Sequence, residues 1–216
     1  MRMLLATTNE GKIIELRRIL EEQGIDLVGL DDSASTEEIE TGATFAENAL
    51  LKARHYYQIS GLPTIADDSG LEVEALNGAP GVRSARWAGP AASDAERVLK
   101  LLDELKDAPP GNRAARFVCA AAVVWGAGER VFEDEARGLI LDAPRGSNGF
   151  GYDPIFYYEP LGKTFAELTR SEKSEVSHRG RAFSQLTRWL NVSGALDTSG
   201  ANDRIIVPTD ESSASA

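Results

Sequence analysis

The sequence predicts an α/β fold in which a long β-hairpin builds a second lobe. Three observations point there. Short apolar, strand-like runs alternate with helical patterns through the first hundred residues. Two helix starts carry capping boxes, Thr44-Phe45-Ala46-Glu47 and Ser93-Asp94-Ala95-Glu96. Two long strand-like segments, 114–125 and 130–141, flank Gly126-Ala127-Gly128, a hairpin turn.

The elements follow in order. Residues 3–7 read as a short buried strand. Thr7-Thr8-Asn9-Glu10-Gly11-Lys12 then hands over to a helix with Ile13, Leu16, Ile19 and Leu20 on one face. Residues 25–30 form a second strand and 31–42 a polar loop. The Thr44 box opens a helix through about Ile59, which Gly61 stops. Residues 63–66 read as a strand ending in Asp67-Asp68-Ser69-Gly70. Residues 71–76 read as another, followed by a Gly/Pro loop at 77–81. The Ser93 helix carries Val98, Leu101, Leu102 and Leu105 and ends near Pro109-Pro110. After the hairpin comes a glycine-rich loop, 142–154, and a last helix at about 178–190. Residues 1–195 are expected to form a single two-lobed domain. Residues 196–216, poor in large apolar side chains, are expected to be a mostly disordered acidic tail.

Composition narrows the function. The 216 residues hold 34 acids and 23 bases, a net charge of −11, which argues against a nucleic-acid polymer or an anionic membrane as partner. It leaves small anions open, since these need only a local cluster of cations. The single cysteine, Cys119, excludes an intrachain disulfide and suits a reducing compartment. The apolar run at the N-terminus is too short for a signal peptide, and no stretch approaches a membrane span, so a cytoplasmic location is expected. Charge is uneven. Residues 21–50 carry nine acids and no Lys or Arg, whereas 160–195 carry six bases against three acids. The two segments either face each other across a cleft or form separate solvated faces.

Four segments could carry chemistry. Thr7 to Lys12 lies where a strand meets a helix N-terminus, a natural anion site with a Lys beside it, or else an ordinary capped turn. Ala6 and Ile13 stand where a Walker A loop needs Gly and Ser/Thr, so a P-loop is excluded. Asp67-Asp68-Ser69-Gly70 places two carboxylates at a buried strand end, suited to Mg²⁺ or to an Asp-rich turn. Side chains of successive strand residues point to opposite faces, so strand geometry alone does not put both Asp in one site. Asn148-Gly149-Phe150-Gly151-Tyr152-Asp153-Pro154 offers aromatic faces for a base with a carboxylate beside them, or a wide turn with core aromatics. Lys173 to Gly180 gathers Lys173, His178 and Arg179, or is a surface basic stretch. No zinc-ligand spacing and no nucleophile elbow is present.

Together these segments resemble the inosine triphosphate pyrophosphatase family. The matching pieces are Leu5 to Lys12; Glu40-Thr41-Gly42 with Phe45 and Glu47-Asn48-Ala49; Lys52-Ala53; and Ala66 to Leu71. They continue with Gly78 to Gly81, Ser84-Ala85-Arg86, Gly149 to Pro154, Glu172-Lys173-Ser174 and Ser177 to Gly180. They occur in family order over residues 3–190. Thr8 departs from the pattern, since many members carry Gly there. The resemblance implies a mixed α/β sheet in two lobes around a nucleotide cleft, usually in a homodimer. It implies hydrolysis of ITP, dITP and XTP to the monophosphate and pyrophosphate with Mg²⁺. By motif, Asp68 would be the catalytic acid positioning or deprotonating water, and Glu40 and Asp68 would hold the metal with Asp67 in support. Thr7, Thr8, Asn9, Glu10, Gly11, Lys12 and Lys52 would hold phosphates, and Ser69 would line the site. Phe150, Gly151 and Tyr152 would bind the base, with the two rings sandwiching it, and Asp153, Lys173, His178 and Arg179 would read its edge. Two other readings compete: a non-catalytic nucleotide binder, which paired carboxylates argue against, and a pyrophosphatase for modified pyrimidines, which the base-edge set argues against.

Overall fold

A computed structural model of the protein describes residues 1–30, 39–109 and 111–193. Most of the expected loop at 31–42, Pro110 and the expected tail at 196–216 lie outside the described residues. Strand β1 (Arg2–Leu5) lies between β2 (Asp26–Gly29) and β3 (Thr64–Val73), parallel to both. From β3 onward each neighbour is antiparallel: β4 (Ala114–Trp125), β5 (Gly128–Ile140), β6 (Phe156–Tyr158) and β7 (Lys163–Thr164). The result is one mixed sheet of seven strands in the order β2-β1-β3-β4-β5-β6-β7.

Helices cover the sheet: α1 (Glu10–Glu21), α2 (Phe45–Ser60), α3 (Asp94–Glu104), α4 (Arg170–Val176) and α5 (His178–Ser193). Strand alternation decides which side chain meets which helix. Met3, Leu5, Ile65, Cys119, Ala121 and Val123 pack with Leu16 and Leu20 of α1 and with Phe183 and Leu186 of α5. Leu4, Ala6, Ala66, Ala120, Ala122 and Val124 face the other way, onto Phe45, Ala49 and Ala53 of α2. A third core joins the far ends of the long strands, through Leu71, Val73, Phe117 and Ile140, to Val98 and Leu101 of α3. These cores are all built on one continuous sheet. Among the described residues no helix is long and apolar enough to cross a membrane.

Three expectations change. The strands at 63–66 and 71–76 are one ten-residue strand, β3, with no turn at Asp67-Asp68-Ser69-Gly70. Those four residues pair with Ala121, Ala120, Cys119 and Val118 of β4, so the hairpin strand supplies the ladder that carries the polar stretch through the core. Helix α3 stops at Glu104, short of Pro109. Strands β6 and β7 lie past the glycine-rich loop, where the sequence suggests no element, and helix α4 runs into the basic stretch that starts at Lys173. Helix α4 is opened by a further reciprocal cap, Thr169 with Glu172. The two predicted capping boxes are both formed.

Helices α4 and α5 meet so closely that a Cβ at Gly180 would overlap the carbonyl oxygen of Ser174. Gly29 has open space around it. Gly180→Ala should therefore cost about 2 kcal/mol through overpacking. In calorimetry that should lower Tm by about 4–8 °C for a chain of this size. Gly29→Ala should leave Tm nearly unchanged.

Candidate active site

Strand β3 places the two aspartates on opposite faces of the sheet. Ile65 points toward α1 and α5 and Ala66 toward α2, so Asp67 and Ser69 continue on the first face and Asp68 on the second. The contacts agree. Asp68 accepts a hydrogen bond from Asn48 Nδ2 at 3.1 Å and lies 3.5 Å from Lys52 Nζ. Asn48 and Lys52 are one helical turn apart on the buried stripe of α2. Lys52 Nζ also donates to Glu40 Oε1 and to the Asp67 carbonyl, both at 2.7 Å. Arg86 approaches the other oxygen of Glu40 at 3.5 Å.

Asp67 is fully buried. Its Oδ2 meets Lys12 Nζ at 3.2 Å and accepts from Arg179 Nε at 3.3 Å and Ser69 Oγ at 3.0 Å. Its Oδ1 has no partner among the described residues. Burial opposes its ionisation, but Lys12, Arg179 and Lys52 outweigh that and hold the carboxyl well below the usual carboxylate range. Asp68 behaves differently. Burial raises its pKa, and Lys52 and Lys12 only partly offset the effect. Lys52 is raised instead: burial disfavours its charge, but Asp68, Glu40 and Asp67 more than compensate.

Beyond Asp67 the network reaches the second candidate wall. Arg179 NH1 donates to Glu15 Oε2 at 2.6 Å and NH2 to Ser69 Oγ at 2.7 Å. Lys173 Nζ donates to Glu15 Oε1 at 2.7 Å and to Asp153 Oδ2. Asp153 Oδ2 also accepts from the Phe150 N–H at 2.9 Å. Phe150 lies under both cations, with Lys173 Nζ 5.0 Å and the Arg179 guanidinium 5.5 Å from its ring centre. Burial and the cations Arg179 and Lys173 push the His178 pKa well down, so its ring is neutral. That ring stacks on Phe117 at 4.7 Å, and its Nδ1 is buried without a partner among the described residues.

These groups enclose a cleft of about 260 Å³. Its walls include Thr7, Thr8, Asn9, Lys12, Glu40, Lys52, Asp68 and Ser69. Phe150, Gly151, Tyr152, Asp153, Lys173, His178 and Arg179 complete the predicted set. Two predicted residues lie elsewhere. Glu10 is exposed, and Gly11 packs beneath the Phe150 ring, where a Cβ would sit 2.6 Å from it and where a smaller neighbouring pocket opens. Asn9 caps α1, its side chain accepting from Lys12 N at 3.0 Å, so the positive end of the helix dipole opens at the cleft.

Glu40 and Lys173 do share one cleft, yet neither wall carries a single charge sign. Lys52 sits among the acids, and Glu15 and Asp153 sit among the bases. Sequence reasoning missed several contributors. Glu15 looks like a surface residue of α1. Asn48, Ser84 and Arg86 stood in matching motifs without roles. Asp94 and Arg97 looked like helix-start residues, although both line the cleft. The one available signal was polar residues on otherwise apolar helix stripes, as at Asn48 and Lys52.

Glu40 and Asp68 converge on one ammonium, so the same pair could hold a divalent cation. Among the described residues no group of three or more His, Cys, Asp and Glu forms a metal cage. A pair of carboxylates suits Mg²⁺, which takes one or two carboxylates and completes its shell with phosphate and water.

Known proteins resemble this chain in both sequence and fold. The sequence profile of the Ham1 family matches residues 3–189. The dITP/XTP pyrophosphatase of Frankia alni is 52% identical over 200 residues, covering 88% of this chain and 97% of its own. That of Shigella flexneri is 49% identical over 188 residues, covering 86% and 95%. The solved HAM1 protein of Coxiella burnetii superposes with a TM-score of 0.78 at 42% identity, over 88% of this chain and 98% of its own. The Mycobacterium abscessus nucleoside-triphosphatase, a dITP/XTP pyrophosphatase, superposes at 0.68 with 49% identity, over 86% and 97%. With that profile match and near half-identity over most of its length, the chain belongs to the Ham1 family.

Proposed function

We propose that this protein is a nucleoside triphosphate pyrophosphatase that hydrolyses dITP, ITP and XTP to the monophosphate and pyrophosphate, with Mg²⁺ as cofactor. The observation that carries it is the buried Glu40–Lys52–Asp68 cluster, set between a helix N-terminus and an aromatic wall in one cleft. Near half-identity to dITP/XTP pyrophosphatases supports the substrate class. The reading extends to a cytoplasmic homodimer whose residues 1–195 form one two-lobed catalytic domain, acting on free nucleotides.

Each residue has work suited to its place. A triphosphate brings about four negative charges, so cations must gather before water can approach. Lys12 at the α1 N-terminus and Lys52 on α2 supply them from opposite faces of β3. Thr7, Thr8 and Asn9 line the phosphate end. Glu40 and Asp68 hold the metal, which when bound offsets charge at the α–β bond. Asp68, braced by Asn48, orients the attacking water and accepts its proton.

The other end reads the base. Phe150 and Tyr152 give it apolar faces. Lys173 has three donors, two of them engaged by Glu15 and Asp153, and Arg179 has five, three of them engaged. The remaining donors, with neutral His178, suit the 6-keto acceptor of inosine and xanthine. Adenine presents a donor there and leaves buried donors unpaired, a large penalty.

Pyrophosphate release from ITP, dITP, XTP, ATP and GTP checks this directly. ITP, dITP and XTP should exceed ATP by about 10²-fold or more in kcat/KM. Equal rates on ATP and ITP would refute the selectivity. Asp68→Asn should lower kcat on ITP by about 10²–10⁴-fold, and wild-type turnover by that variant would refute its role. Chelation of Mg²⁺ by EDTA should abolish pyrophosphate release, and added Mg²⁺ should restore it.

A further inference from the structure

Helix α3 touches the base-facing loop at one polar point. Asp94 Oδ2 accepts a hydrogen bond from the Gly151 N–H at 2.6 Å, across 57 residues of chain. Its other oxygen pairs with Arg97 NH1. All three residues, with Tyr152, line the cleft. A charged acceptor on a backbone donor is among the stronger hydrogen bonds. We propose that Asp94 is a positioning residue for base recognition: its carboxylate pins the Gly151 main chain and so sets where Phe150, Tyr152 and Asp153 meet the purine. The proposal rests on the function given above.

Three features carry it. First, the loop is tied from several sides, and the α3 tie holds its centre. Asp153 is held by Lys173 and the Tyr152 hydroxyl donates to the Ser84 carbonyl at 3.0 Å, ties that act on side chains. The Ala166 N–H holds the main chain at the loop's end, through the Asp153 carbonyl at 3.2 Å, whereas Asp94 grips it between the two aromatic residues. Second, the arrangement is poorly made as a stabilising salt bridge. Arg97 Nε is buried without a partner among the described residues, a desolvation cost that ordinary helix surface pairs avoid. Third, the contact lies between α3 and the loop, apart from the Glu40–Lys52–Asp68 cluster and Lys12, so its loss frees the Gly151 main chain without touching Asp68, Lys12 or Lys52.

The test compares wild type, Asp94→Ala and Asp94→Asn, using ITP as substrate and two probes as inhibitors. Inosine monophosphate reports the base end and inorganic pyrophosphate the phosphate end. For Asp94→Ala, KM for ITP and Ki for inosine monophosphate should rise about tenfold, with kcat falling about threefold at most and Ki for pyrophosphate unchanged. Asp94→Asn keeps an acceptor oxygen for Gly151 and should stay within about threefold of wild type throughout. If Asp94→Ala does not fold, Asp94→Ser, whose shorter side chain falls short of Gly151, carries the same expectation. Unchanged binding of inosine monophosphate in the Ala or Ser variant overturns the proposal, as does equal weakening of pyrophosphate. A wild type without ITP turnover overturns the proposed function alone, since inosine monophosphate binding still judges Asp94. A wild type that binds no inosine monophosphate overturns both.

Discussion

The site depends on one constraint: two adjacent carboxylates in the middle of a central strand. Strand geometry sends Asp67 and Asp68 to opposite faces, and neither face offers bulk water. An ionised carboxylate there persists only if cations come to it. The helices supply them, Lys52 from α2 on one side and Lys12 and Arg179 from α1 and α5 on the other. Three helices are thus locked to β3 by charge as well as by apolar packing. Two of these cations, Lys12 and Lys52, are also the ones proposed above to meet the triphosphate.

The arrangement sacrifices stability. Among the described residues Asp67 keeps one oxygen buried and unpartnered, and His178, stacked on Phe117, keeps Nδ1 unpartnered. An apolar core of equal volume would avoid the associated desolvation, commonly about 1–3 kcal/mol per unsatisfied group. What the network provides is a fixed set of directions for a few donors. Glu15 shows how. By bridging Lys173 and Arg179 it prevents two neighbouring cations from repelling each other and leaves only some of their protons for a ligand. Burial works against its ionisation, but Arg179 and Lys173 prevail and keep it charged. The net charge of −11 says little about such a site, because opposite signs are interleaved within a few ångströms of each other.

Local signals made much of this legible in the sequence. The capping boxes at Thr44 and Ser93, the hairpin turn and the short apolar run of β1 all act within a few residues, and the structure has them. The unbroken strand at Asp67-Asp68-Ser69-Gly70 was not legible, because locally those residues favour a turn. Only β4, some fifty residues away, and Arg179, 112 residues away, make an extended buried conformation tolerable. Glu15 was hidden for the same reason. It occupies an ordinary helix position, and its partners lie more than 150 residues downstream. Strands β6 and β7 are too short to show a period at all.

The cleft residues that did emerge from the sequence came from ordered motifs, and the structure explains why such motifs can lie so far apart. Each is a short segment fixed by its own local geometry: a capped helix start at Asn9, a buried helix stripe at Asn48 and Lys52, a strand centre at Asp67 and Asp68. The long-range bonds between them are few and ionic, so they fix distances without needing broad packed surfaces. The loop from Gly149 to Asp153 shows the same division. Its internal turn is closed by Asp153 on the Phe150 N–H, while its position is set from outside by Lys173, Ser84 and Asp94. A ligand lying along the cleft would therefore meet rigid local pieces joined by charged ties. In the proposed reading those ties would connect its phosphate end to its base end through Lys12, Asp67 and Arg179. Phosphate that drew Lys12 away from Asp67 would leave Arg179 and Lys52 to compensate that buried carboxylate, so the two ends of the nucleotide would be read by a single coupled network.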